Sequence, residues 1–341
     1  MEQNTLGVAL RYYRKKYKFS MAEICEGICD EVSLSRLERG YREQDSLTAG
    51  AMLGRVGIEI TQFELILNDE DFELYTLRNN IAFSFKKEMY DEAVRLLDKY
   101  EKLMPNDLEI HMQFVLYYRA MLVLSEAGLL KEQSYGKDLS ENKTVQKACK
   151  MFYKALTITK PRLKEYLNGM VNSVFSKHTS KIKMLYNPFE IELILKLIDY
   201  GYSEYRQIGE NELKAIIAYI QSYYPKKMYE ETGIRIYTEL INHSVAEQNY
   251  LKVIEYADKA LKLISQGRNM NGMHRIYFIK AQALKKYYGN TSEWDKKEKD
   301  CKNACLIAYC LADVADDLQL IDNIVSFCKE ELEWQITALE I

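Results

Sequence analysis

The stretch Ser20–Met–Ala–Glu–Ile–Cys–Glu–Gly27–Ile–Cys–Asp30–Glu–Val–Ser–Leu–Ser–Arg–Leu–Glu–Arg–Gly40 decides how the chain begins to fold. Ser20 precedes an apolar run and Glu23 follows three residues later, the reciprocal arrangement of a capping box. That box opens a short helix, which Gly27 ends. Asp30 caps a second short helix, Glu31 to Arg39, and Gly40 terminates it with a left-handed turn. Upstream, Leu6–Gly–Val–Ala–Leu10–Arg–Tyr–Tyr–Arg14–Lys–Lys–Tyr17 reads as an amphipathic helix with a basic polar face. Downstream, Ser46 is expected to cap a fourth helix running to about Val56, with Gly57 past its end. Four short helices with a tight turn between the second and third outline a helix-turn-helix arrangement.

The rest of the chain follows a different grammar. In 341 residues there are four prolines and fifteen glycines, too few for the turns of a β-sandwich or a doubly wound sheet, so the fold class is all-α. Pro105, Pro161 and Pro225 each follow an apolar run of helical period, as expected where a helix must stop. In the run from Tyr90 to Tyr100, Ala93, Leu96, Leu97 and Tyr100 share one face and the charged residues lie on the other. The same order returns from Lys147 to Leu156, from Tyr250 to Leu261 and from Cys301 to Ala308. Small residue, large or aromatic residue, small residue, then proline is the pattern of a tetratricopeptide unit, with Ser125–Thr144 and Leu163–Tyr186 as insertions. A generic helical bundle would satisfy amphipathicity without requiring this recurring order.

Leu6–Gly7, Leu10–Arg11, Arg14, the Ser20–Cys29 run and Leu34–Ser–Arg36–Leu–Glu–Arg–Gly40 together resemble the Cro/repressor-type helix-turn-helix family. With the shortened Glu–Gly–Ile–Cys turn and helical repeats to the C-terminus, the chain is similar to the Rgg-like and PlcR-like (RRNPP-type) peptide-responsive regulators of Gram-positive bacteria. That resemblance implies a cytoplasmic, homodimeric, quorum-sensing transcription regulator that binds an operator in double-stranded DNA. It implies a DNA-binding domain over 1–67, a linker over 68–73, and a domain over 74–341 for peptide binding and dimerisation. The latter would be a right-handed superhelix of tetratricopeptide-like pairs holding a short signalling peptide on its concave face.

The residues give the chemistry independently. The helix from Glu31 would enter the major groove with Glu31, Val32, Ser33 and Arg36 at its first turns. Arg36 is suited to a bidentate guanine contact, Ser33 to several bases, and Glu31 to the amine of cytosine. Arg11, Arg14, Lys15, Lys18, Arg39 and Arg42 are candidates for phosphate contacts, which position a domain and make its affinity salt-dependent. Two positions depart from the family pattern: Met21 stands where relatives have a DNA-contacting glutamine, and Asp30–Glu31 opens the reading helix with carboxylates. In the repeats, the first helix of each pair would line the groove, placing Arg78, Arg119, Arg235, Asn242, Arg275 and Gln282 there. An asparagine amide can pair with a peptide backbone, and arginines can hold a carboxylate.

A formal net charge of −3 gives no overall attraction to nucleic acid or to an anionic membrane, so any DNA binding must come from a local patch. No window is apolar enough for a spanning helix, and the seven cysteines form no disulfide framework or paired zinc spacing. Phosphate-loop, dinucleotide, zinc-protease and nucleophile-elbow motifs are absent from the sequence, so neither an enzyme nor a cofactor is expected. The competing reading, motivated by Met21 and Glu31, is a repeat scaffold for protein interactions without specific DNA binding.

Overall fold

The computed structural model describes residues 5–41, 44–58, 68–130, 142–162, 185–200, 209–267 and 272–336. Among them are fifteen helices and no strand. The chain divides into two compact units, Met1–Pro225 and Lys226–Ile341.

The first unit opens with four short helices: α1 (Thr5–Tyr17), α2 (Met21–Cys25), α3 (Glu31–Glu38) and α4 (Ser46–Arg55). Ser20 and Glu23 form the expected capping box, and Asp30 caps α3 through the Ser33 amide at 2.6 Å. Leu6, Leu10, Ile24, Leu34, Leu37, Met52 and Leu53 make the core that holds the four together. The cap of α4 differs from expectation. Asp45 is the N-cap, accepting from the Leu47 and Thr48 amides at 3.0 Å each, and Ser46 is the first helical residue. A carboxylate is available one residue earlier and takes both amides, which frees the Ser46 hydroxyl for other partners.

Among the described residues this unit has six further helices: α5 (Asp69–Lys86), α6 (Tyr90–Leu103), α7 (Glu109–Glu126), α8 (Lys143–Thr159), α9 (Pro188–Asp199) and α10 (Gly209–Tyr223). Helices α5 and α6 pack as a pair, as do α7 and α8, and α9 lies on α8. Ala93, Leu97 and Tyr100 face inward together, as their spacing predicts. The acidic stretch 68–73 is not an extended connection: Asn68 caps α5, and Asp69, Glu70 and Asp71 form its first turn. Three carboxylates there complement the positive end of the helix dipole. Pro105, Pro161 and Pro225 lie just past α6, α8 and α10, whereas Pro188 opens α9 at its first position.

The second unit is a run of antiparallel neighbours: α11 (Lys226–Ala246), α12 (Tyr250–Gly267), α13 (Met273–Tyr288), α14 (Trp294–Val314) and α15 (Leu318–Glu331). Its terminal core is built from small side chains: Ala281, Cys301, Ala304, Cys305, Ala308, Ala312 and Cys328, closed by Phe278, Leu284 and Ile324. The Cys301 thiol donates to the Ala281 carbonyl at 3.3 Å, and all seven cysteines of the chain are free thiols. They pack as small hydrophobic groups, whose role here is close helix contact. Among the described residues, no helix is long and apolar enough to cross a membrane.

Candidate nucleic-acid interface and ligand-groove residues

Helix α3 sits on α1 and α2 through Leu34 and Leu37, which leaves Glu31, Val32, Arg36 and Arg39 exposed and Ser35 half-exposed. Val32 and Arg36 lie one helical turn apart on one face. Ser33 is not on it. It is 5% exposed and its hydroxyl bonds the Asp30 carboxylate at 3.0 Å, because the third helical position belongs to the cap. The polar group beside Glu31 on the open face is Ser35, four residues on. Sequence reading missed it, although i, i+4 spacing from Glu31 is the available signal.

The basic residues separate by role. Arg11, Lys15 and Lys18 are exposed on α1 and its C-terminal turn. Arg14 is not available to a phosphate: its Nε and Nη2 grip the two carboxylate oxygens of buried Glu38 at 2.6 and 2.7 Å. That bidentate hydrogen bond raises the Arg14 pKa, and it ties α1 to α3. Arg39 is exposed at the C-cap of α3, Met21 is half-buried at the start of α2, and Arg42 lies outside the described residues.

Behind this face, α4 is fastened at both ends to the helix pairs that follow it. At its N-terminus the Ser46 hydroxyl donates to Asp71 at 2.7 Å and accepts from Arg78 at 2.6 Å. Arg78 also reaches the Tyr100 hydroxyl at 3.3 Å, which meets His111 Nδ1 at 2.6 Å. His111 Nε2 lies 3.3 Å from Asp45, the α4 cap. Burial would raise the Asp45 carboxyl, but hydrogen bonds from His111 and Thr48 hold it below its usual value. Arg78 therefore belongs to this buried network and not to a groove. Its position on α5 adjoins Leu77 and precedes Ile81 by three, which places it on the inward face.

At the C-terminus of α4 stands Arg55, 0% exposed, which sequence reading did not single out. Its Nη1 donates to the Ile24 and Glu26 carbonyls at 2.9 and 2.8 Å, and its Nη2 to the Thr159 carbonyl at 2.9 Å and Glu190 at 2.6 Å. Three of these acceptors are carbonyls at the ends of α2 and α8, which a helix cannot satisfy internally. Lys160 Nζ lies 3.3 Å from the other Glu190 oxygen and donates to the Leu185 carbonyl. Burial would raise the Glu190 carboxyl, but the Arg55 and Lys160 charges hold it below its ordinary value. Burial, then the Arg55 charge, bring Lys160 down to about 8.

Two glycines make the approach close enough for this junction. Gly27, at φ +66°, would place a Cβ 2.5 Å from the Ile158 carbonyl oxygen, and Gly57, at φ +74°, would place one 2.4 Å from that of Tyr223. Both left-handed conformations follow from the sequence, since each glycine ends a helix. Their second role, clearance for the neighbouring backbone, depends on residues more than a hundred positions away.

The remaining groove candidates divide between the units. Arg119, on α7, reaches back to Asp98 at 2.5 Å and Glu101 at 2.8 Å on α6, whose hydrogen bonds raise its pKa. In the second unit, α11 and α13 both pack on α12. Helix α11 carries exposed Arg235 and half-buried Asn242, whose amide lies 3.5 Å from Glu239. Helix α13 carries Gln282, half-buried, and Arg275, which bonds Asp317, the N-cap of α15, at 3.1 Å. Arg275 is thus committed in part to fixing the terminal helix.

The architecture defines a class: a helix-turn-helix unit seated on paired helices that continue to the C-terminus. Among solved structures, Bacillus thuringiensis PlcR in complex with the peptide PapR7 and DNA has this fold, with a TM-score of 0.50 and 14% identity over 94% of this chain and 98% of that chain. Streptococcus vestibularis ComR in its apo form aligns over 96% of this chain and 98% of its own, at a TM-score of 0.43 and 13% identity. ComR from S. thermophilus, in complex with DNA and its signalling peptide ComS, aligns over 94% and 97%, at 0.39 and 15%. No protein-family model matches the sequence, and no curated protein matches it.

Proposed function

We propose that this chain is a DNA-binding transcription regulator whose activity is set by a short signalling peptide held by its helical pairs. The observation that carries the reading is the uncovered face of α3, with Val32, Arg36 and Arg39, on a four-helix unit fixed to those pairs at both ends of α4. The shared fold supports it, since PlcR carries both a peptide and DNA in the structure compared. In this reading residues 1–67 bind DNA. Arg36 reads a base, and Arg11, Lys15, Lys18 and Arg39 contact phosphates, while Arg14 and Ser33 act structurally. Residues 74–341 bind the peptide and dimerise, with Arg235, Asn242 and Gln282 as the groove candidates of the second unit. The chain would act in the cytoplasm as a homodimer without catalytic chemistry, its two copies of α3 one DNA turn apart, roughly 34–36 Å.

Peptide control requires differential affinity: the peptide must favour one arrangement of the dimer, since equal binding to both shifts nothing. The buried bonds of Arg55 and Ser46 give such a shift a stiff route to α3. Selection from random duplex DNA by the full chain, with and without a peptide extract of the host, tests the reading. The expected result is a two-fold-symmetric site whose enrichment depends on the extract. Absence of any enriched sequence at low salt in both arms would overturn it in favour of an interaction scaffold.

A further inference from the structure

Resting on the regulator reading, we propose that Val32 selects a thymine in the operator by packing against its 5-methyl group. The first turn of α3 has one group positioned to hydrogen-bond a base, the Glu31 carboxylate, because Ser33 is folded back onto Asp30. Beside it Val32 is 59% exposed, while the other apolar residues of the helix, Leu34 and Leu37, are fully buried. A β-branched side chain held in the open at the second position of a helix presents two methyl groups on a rigid stem. Of the four bases, only thymine shows a methyl group in the major groove, so an apolar contact there carries sequence information.

The exposed cations beside Val32 suit this face to the anionic duplex. Arg36 follows one turn later on the same face and Arg39 closes the helix, both exposed. Four residues of helix span about 6 Å, or roughly two base-pair steps of 3.4 Å. Val32 and Arg36 therefore read neighbouring positions: a thymine within about two base pairs of the guanine that Arg36 contacts.

The test pairs a base change with a side-chain change in the full-length protein. Operators are first obtained by selection, and each thymine is then replaced singly by deoxyuridine, which removes the methyl and leaves every hydrogen-bonding group. One thymine per half-site is expected to matter, its replacement weakening binding about fourfold, the worth of one methyl group withdrawn from water. For Val32→Ala, thymine and deoxyuridine at that position should bind alike, while Val32→Thr, which keeps a methyl, should retain part of the preference. Val32 is exposed, so the variants should fold, and unchanged melting temperatures check this. Specific binding that is indifferent to deoxyuridine at every position overturns the proposal, as does a preference that persists in Val32→Ala. Failure of the parent protein to select any DNA sinks the regulator reading itself, a distinct result.

Discussion

The junction around Arg55 and the seam between α13 and α14 are both buried, yet they are held by opposite chemistry. In the seam, Ala281, Ala304, Cys305, Ala308 and Ala312 bring two helices together through small, nonpolar surfaces. In the junction, an arginine, a lysine and a glutamate at 0% exposure bind one another and the carbonyl ends of two helices. A seam of small residues can be repeated down a chain, because each pair asks the same thing of the next. A buried ionic junction is made once, and each member is costly to hold without the others. This difference suits the parts: helix pairs that stack on like neighbours, and a four-helix unit fixed in one orientation on the pairs that follow it within the first unit.

The sharpest way to break the contrast is Glu190→Ala, which leaves Arg55 and Lys160 as two buried cations without their shared counter-charge. Chemical denaturation should show a loss of about 3–5 kcal/mol. A loss under ~1 kcal/mol would mean that the junction opens to water and is no lock. Next comes Glu212, which accepts a hydrogen bond from Tyr186 and is pushed up to about 7 by burial. Between its ordinary 4.5 and about 7 the folded protein keeps a proton that the unfolded chain has released. Stability therefore falls as pH rises through that window. Glu212→Gln should remove this slope and, at pH 8, be more stable than the parent by ~2–4 kcal/mol.

Glycine substitutions compare close approach with conformation alone. Gly57→Ala meets both a left-handed φ and the Tyr223 backbone, whereas Gly128→Ala, at φ +67°, meets nothing within 4 Å. The first should cost about 2–4 kcal/mol and the second about 1–2. Equal costs would show that the helices part readily at this contact. In the seam, Ala308→Leu should cost ~1–3 kcal/mol by overpacking, read by chemical denaturation. Finally, Lys15→Ala on the exposed side of α1 should leave stability unchanged and lower the salt dependence of DNA binding by about one ion.

Several local features were legible because each depends on neighbours in the chain. Ser20 with Glu23, Asp30 before Glu31, and prolines after α6, α8 and α10 needed a handful of residues to be read. The inward set Ala93, Leu97 and Tyr100 followed from helical spacing alone. The candidate site was less legible. Ser33 suited base reading until the cap claimed it, Arg14 suited a phosphate until Glu38 held it, and Arg78 suited a groove until Ser46 and Tyr100 enclosed it. Arg14 and Arg78 are recruited by partners 22 to 32 residues away, which spacing does not reveal, whereas Ser33 is claimed by the Asp30 cap three residues before it. Arg55 had one faint mark, a lone charge among Leu53, Gly54, Val56, Gly57 and Ile58.

What the sequence determined by itself is the four short N-terminal helices, the ends marked by caps, glycines and prolines, and which faces of the periodic runs are apolar, because capping, turns and periodicity act over at most a few turns. What only the tertiary structure decided is which polar side chains remain free to meet a ligand. That choice turns on partners such as Glu190, 135 residues from Arg55, and on the steep cost of burying a charge that has found none.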